Sequence, residues 1–190
     1  VQGHSIERNL YHRNKSNRPI WKYIKQQFVN REWDYDIRNN RMSWCYGTIG
    51  ILRAQFLIGE YINNCKITNY CVKEIMKITH VDIKNYKLES PIICHGYAGV
   101  AVILDAFNRK LKCKQIEKRV EELMNIVYGF FNPKTNYGYM DRGIVNVGGE
   151  TYYEEVEQFD LFSGSAGIIL AIAAIMNVGV MWEERIFVIK

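Results

Sequence analysis

The sequence predicts an all-α protein whose helices stack in two layers, and three features carry that reading. A Gly-x-x-Gly step occurs three times, at Gly47 and Gly50, Gly96 and Gly99, and Gly164 and Gly167, each time opening an aliphatic run. The runs directly after the steps are apolar nearly all round, as expected of helices packed on both sides. The runs that follow the first two are amphipathic or nearly so, as expected of helices packed on one side. The steps lie 49 and 68 residues apart, so the repeating unit is a long helical hairpin with loops of variable length. Glycine suits both positions because, without a Cβ, the chain turns sharply into a helix and neighbouring helices approach closely.

In chain order, residues 49–61 form the first inner helix and 68–78 its outer partner. Residues 97–108 form the second inner helix, interrupted only by Asp105. Its outer partner, 114–128, sets Ile116, Val120, Leu123, Met124 and Val127 on one face and Glu117, Lys118, Glu121 and Glu122 on the other. Residues 166–176 form the third inner helix. Between the second and third units, 130–160 is rich in Gly, Asn and Tyr, with turn signals at Asn132-Pro133 and Gly148-Gly149. That stretch predicts a loop insertion with a short hairpin. Its tyrosines, from Tyr137 to Tyr153, fit either a peptide groove or aromatic loop packing.

A chain of 190 residues with 48% hydrophobic content buries a real core, and its length suggests one domain. Val1 is not an initiator methionine and no signal-peptide pattern follows it, as expected of a fragment or processed piece. Five cysteines at irregular spacing suggest no disulfide framework and fit a reducing, cytoplasmic setting. Residues 1–45 hold nine Lys or Arg and four Asp or Glu, so the whole net charge of +5 lies there. Residues 1–40 read as a basic, less regular lead-in, better explained as a solvated face than as an acidic-peptide or membrane site. No aromatic-interleaved basic motif points to nucleic acid. Residues 166–182 approach the length of a membrane span, but Asn177 interrupts them, and a helix buried within the protein explains them better.

Two segments carry metal-binding chemistry: Trp44-Cys45-Tyr46-Gly47-Thr48-Ile49-Gly50 and Cys94-His95-Gly96-Tyr97-Ala98-Gly99. Two thiols and an imidazole suit zinc, and three protein ligands without an obvious fourth leave one position open for a sulfur or oxygen nucleophile. Taken singly, either cysteine also fits a buried core thiol; as a set with His95 they favour ligation. Successive residues of a helix point about 100° apart. Cys94 and His95 therefore reach one ion only from the turn before the helix, where Gly96 puts them. A closed structural site needs a fourth ligand, for which Asp105 and Tyr46 are poor candidates. Cys65, Cys71 and Cys113 lack such a context and read as structural, and His80 reads as a cap or surface residue.

Taken in order, Trp44-Cys45-Tyr46-Gly47, Cys94-His95-Gly96 and Leu161-Phe162-Ser163-Gly164-Ser165-Ala166-Gly167 resemble the lanthionine synthetase C-like family. The Tyr after Cys45 and the Cys-His-Gly-Tyr run bring it nearest to the bacterial lantibiotic cyclases. The resemblance extends from about Trp21 to the C-terminus, roughly the C-terminal half of a family member. It implies an α/α toroid, an inner ring of helices inside an outer ring, of which residues 1–190 form a single partial domain. It implies Zn2+ at one mouth, held by Cys45, Cys94 and His95, with Arg41 and Tyr46 as active-site residues. The implied reaction adds a peptide cysteine to dehydroalanine or dehydrobutyrine to make a thioether ring. The implied partners are a dehydrated precursor peptide, a dehydratase and an exporter, and the implied location is the cytoplasm or the inner membrane face. The family's other histidine, in an Ala-His-Gly type of motif, and its aspartate have no match here: His4 and His12 stand in unlike surroundings. Two other functions stay open: a non-catalytic member that binds zinc and thiol compounds, and a glycosidase-like toroid, for which no paired carboxylates appear.

Overall fold

The chain is described by a computed structural model covering residues 41–147 and 150–178, all within the compact unit Ile37–Lys190. The basic lead-in expected over 1–40, the Gly148-Gly149 turn and the end of the apolar run at 179–182 lie outside the described residues.

Five α-helices dominate the described residues. They are α1 (Thr48–Tyr61), α2 (Cys65–Ile78), α3 (Tyr97–Leu111), α4 (Lys114–Gly129) and α5 (Ser165–Ile175), with a 3-10 turn at Ile83–Tyr86. α1 packs on α2 and α3 on α4, while α3 lies between α1 and α5. The inner layer is therefore α1, α3 and α5, the outer layer α2 and α4, and together they make a partial α/α toroid. The insertion holds one antiparallel hairpin, β1 (Asp141–Val147) and β2 (Glu150–Val156), in register with Asp141 opposite Val156 and Val147 opposite Glu150. Arg142 and Glu155, opposite each other, pair at 2.8 Å. Tyr152 and Tyr153 stand exposed on the hairpin rather than packing beneath it.

Helix boundaries follow local chemistry. α2 begins three residues before the apolar pattern does, because Asn64 Oδ1 accepts from the N–H groups of Lys66 and Ile67. α3 runs on to Leu111, after which Lys112 turns left-handed (φ 49°) and the Asn108 side chain accepts from Cys113 N. Asn177 is likewise left-handed (φ 54°), just past the end of α5. No helix among the described residues is long and apolar enough to cross a membrane.

The expectation that inner helices are buried on both sides holds for α3, whose residues from Ala98 to Phe107 are buried apart from a half-exposed Asp105. It does not hold for its neighbours: Ile58 of α1 is 56% exposed and Ile169 of α5 57%. Within the described inner layer, α3 has a helix on each flank, whereas α1 and α5 each have α3 as their main inner-layer neighbour. The shared core centres on Phe56 and Phe107, edge to face at 4.9 Å, with Ile75, Ile103, Leu104 and Leu123 around them fully buried.

Cys71 and Tyr86 are among the ionisable groups buried here. Burial pushes the Cys71 thiol up to about 11 and the Tyr86 phenol, which donates to the Ile78 carbonyl at 2.8 Å, up to about 12. Both stay neutral where the unfolded chain has begun to ionise. Their contribution to stability is thus complete below about pH 8.5 and is lost as pH rises through their folded values. A chemical-denaturation series across alkaline pH is expected to show that fall. Tyr86→Phe should flatten it while costing about 1 kcal/mol at neutral pH through the lost hydrogen bond.

Candidate metal centre

Three turns of one design lead into the inner helices. In each, the first helical N–H reaches back seven residues: Thr48 N to Arg41 O, Tyr97 N to Ser90 O and Ser165 N to Gln158 O, all at 3.0 Å. The repeat seen in the glycines is therefore a repeat of hydrogen bonding. The caps Gly47, Gly96 and Gly164 have ordinary extended backbones (φ −101°, −120° and −126°). Space, not unusual torsion, is what these turns require of glycine. A Cβ on Gly50, Gly99 or Gly167 would run into the carbonyl oxygen six residues back, that of Trp44, Ile93 or Leu161. At the caps a Cβ would strike backbone atoms of Ser43 and Arg41, of Ser90 and Ile92, and of Asp160.

The turns are also zipped to one another. Cys45 N donates to Cys94 O (3.2 Å), and Cys94 N donates to Phe162 O (2.9 Å). Each of these residues stands two places before the first glycine of its turn, so the repeat lines them up in one row. Two places in that row carry thiols. The third carries Phe162, whose ring stacks on Trp44 with centroids 5.4 Å apart. Both Cys94 and His95 lie in the turn before α3, the one place from which adjacent residues reach a common ion. Cys45 is exposed and Cys94 half-buried. Burial pushes the Cys94 thiol up to about 11, and the neighbouring Cys45 thiol pushes the same way. Cys71 in the core, Cys113 beside Met76 and Cys65 at the start of α2 stand apart from this row, and His80 is exposed against Gln115 and the Met76 carbonyl.

Arg41 joins the first two turns. Its Nη1 donates to Tyr46 Oη and its Nη2 to the His95 carbonyl, both at 3.3 Å. Its Nε is buried with no hydrogen-bond partner among the described residues. Tyr46 is 66% exposed, so its ring stands at the mouth of the site and does not pack into it.

Sequence reasoning missed two residues here. His95 Nε2 lies 3.6 Å from Asp141 Oδ1, and the Ser90 hydroxyl donates to the same oxygen at 2.7 Å. Burial works against the charged form of Asp141, but His95 and Ser90 outweigh it and hold the carboxyl below its ordinary range. Asp141 opens the hairpin within what reads as a linker, 46 residues beyond His95, and no spacing rule connects the two.

The donor set fits zinc: two soft sulfurs from neighbouring turns and one ring nitrogen. The side chains are not gathered around a common point, since among the described residues no three His, Cys, Asp or Glu stand in a metal-holding arrangement. The thiols interact with each other, and His95 turns its Nε2 to Asp141. Nδ1 of His95 makes no hydrogen bond among the described residues.

Over 100 residues, 52% of the chain, it is 32% identical to the nisin biosynthesis protein NisC of Lactococcus lactis subsp. lactis. The matched stretch is 22% of that relative's length, so the chain corresponds to a minor part of it. A family profile described as lanthionine synthetase C-like protein matches residues 11–180, which takes in all three turns and every residue of the candidate centre. With nearly its whole length matched, this chain belongs to the lanthionine synthetase C-like family.

Proposed function

We propose that the chain is the zinc-holding part of a lanthionine-forming peptide cyclase, with Cys45, Cys94 and His95 as ligands. The observation that supports this most is the alignment of two thiols from separate turns, backbone-bonded to each other beside His95 and Arg41. The substrate on this reading is a dehydrated precursor peptide. One of its cysteines adds to a dehydroalanine or dehydrobutyrine of the same peptide, giving lanthionine or methyllanthionine. A dehydratase supplies that substrate and an exporter removes the product. The reaction then belongs in the cytoplasm, at or near the inner membrane face.

The chemical obstacle is the substrate thiol, whose pKa of about 8.5 leaves it mostly protonated near neutral pH. Zinc, when bound, supplies the Lewis acidity that removes this proton. Cys45 and Cys94 as two of three ligands would make the site electron-rich and keep an incoming sulfur nucleophilic, which gives a reason for sulfur at two of the three positions. The addition forms a carbon–sulfur bond at the β-carbon and breaks the carbon–carbon π bond. The displaced electron pair moves onto the carbonyl oxygen as an enolate, and a proton delivered to the α-carbon completes the thioether. On this reading Arg41, held between Tyr46 Oη and the His95 carbonyl, supplies the positive charge that the enolate needs, and the Tyr46 hydroxyl a hydrogen bond. No residue of this chain is assigned as the proton donor, because the motif histidine of the family has no match in the sequence.

A dehydrated peptide with one free cysteine tests the proposal. Mixed with the zinc-loaded chain near neutral pH, it is expected to release a proton as its thiol binds. Thioether formation, read by loss of alkylatable thiol at unchanged mass, should then be slow. Absence of proton release contradicts thiol activation, and rapid ring closure contradicts the missing proton donor.

A further inference from the structure

We propose that Asp141, fixed by Ser90, is a positioning residue for His95: it engages Nε2 of the ring and so leaves Nδ1 for the metal. This rests on the zinc reading above and extends it to residues that the ligand motifs do not contain.

Several observations converge on that role. Ser90 is fully buried and is built into the same turn as the ligands, since its carbonyl accepts from Tyr97 N at the start of α3. Its hydroxyl holds Asp141 Oδ1 at 2.7 Å, and the same hydroxyl accepts from Arg142 N at 3.4 Å. The base of the hairpin is thereby tied to the turn that carries Cys94 and His95. The Asp141 side chain is 13% exposed, and the nearest guanidinium in sequence, Arg142, is engaged with Glu155 across the hairpin. Asp141 therefore faces His95 and Ser90, with the Cys94 thiol close enough to feel its charge. Arg41 holds the backbone carbonyl of His95 and not its ring, so the ring's orientation is left to Asp141.

The chemistry of a neutral imidazole supplies the rest. It carries one proton, and the nitrogen that faces an acceptor keeps it. A carboxylate at Nε2 places the proton there and leaves the Nδ1 lone pair bare. At 3.6 Å the contact is longer than a hydrogen bond and is an ion pair only with a protonated ring; for the neutral ring it sets which nitrogen faces the carboxylate. An ion held at Nδ1 would make Nε2–H a stronger donor to Asp141. Outer partners of this kind orient ligand histidines and raise their basicity, and losing one typically costs about 10- to 100-fold in metal affinity. The competing arrangement, Asp141 as a direct ligand, requires the opposite ring nitrogen to carry the proton.

Nitrogen-15 spectra of the histidine rings decide between them, recorded on the whole chain with and without zinc at about pH 8, where imidazole is neutral. His95 is assigned by the signal lost in His95→Asn. In the metal-free chain the proton is expected on Nε2, and Asp141→Ala should shift His95 toward a mixture of tautomers. In chelator competition Asp141→Ala should bind zinc about 10- to 100-fold more weakly, Ser90→Ala less so, and Asp141→Asn, which keeps an acceptor oxygen, should recover part of the loss. Unchanged circular dichroism excludes unfolding as the cause. A proton on Nδ1 in the unaltered chain, or the same tautomer with and without Asp141, overturns the positioning role whatever zinc does. Failure of the unaltered chain to take up zinc overturns the functional reading, and the metal-directed role with it, even where the tautomer is as expected.

Discussion

Replacing Cys94 with alanine is expected to abolish tight zinc binding while leaving the fold intact. Cys94 is the middle member of the row formed by Cys45, Cys94 and Phe162, and it makes its backbone bonds through N–H and C=O groups that alanine keeps. The side chain is half-buried and packs against the edge of the core, not within it. On the proposed ligation, what disappears is one of two sulfurs in a three-ligand set. Loss of an outer-shell partner alone costs up to about 100-fold in affinity, so loss of a ligand should cost more. Chelator competition with the zinc-loaded chain measures it. Cys45→Ala should behave alike, whereas Cys71→Ala and Cys113→Ala, away from the turns, should bind zinc normally. Equal losses across all four cysteines would mean that the row of thiols has no special role.

The largest expected effect on stability is at Gly99. A Cβ there would overlap the Ile93 carbonyl oxygen, which is backbone inside the turn and has no flexible end to move away. α3 has a helix on either flank and α4 across its outer face, so it cannot shift to make room. Gly99→Ala is therefore expected to destabilise the protein by about 3 kcal/mol or more, a large share of a typical domain's 5–15 kcal/mol or so. Gly129→Ala is the control: its Cβ meets nothing within 4 Å, and at the end of α4 it should be neutral or slightly stabilising. Denaturant unfolding of the two variants compares them directly. A small effect at Gly99 would show that the turn relaxes and that the glycine repeat is not a packing requirement.

What the sequence made legible was local. Helical periodicity placed α3 and α4 within a few residues of their ends, because burial along a helix repeats every three to four residues and is written into the chain. The position of Cys94 and His95 in a turn was also legible, since adjacent residues on a helix face different ways and Gly96 marks where the helix begins. Three features were not. The open flanks of α1 and α5 depend on which helices stand beside them, and no pattern within a helix records its neighbours. The ladder from Cys45 through Cys94 to Phe162 joins residues scattered along the chain, and only the superposition of three turns aligns them. The contact of Asp141 with His95 depends on a hairpin returning to the second turn, through a stretch whose composition signals only loop. The reason read for the glycines holds in part: the missing Cβ does permit the sharp entry into each helix, but the close approach is chiefly to backbone of the same turn and not to a neighbouring helix.

The central claim is that sulfur from two turns and nitrogen from one of them share an ion whose remaining position is open. Cobalt(II) titrated into the metal-free chain reads this in one spectrum. Intense tetrahedral d–d bands with sulfur charge-transfer absorption are expected at one equivalent, lost in Cys45→Ala and Cys94→Ala and visibly altered when a small thiol is added. Weak octahedral bands without sulfur charge transfer, or a sulfur-ligated spectrum indifferent to added thiol, would contradict it.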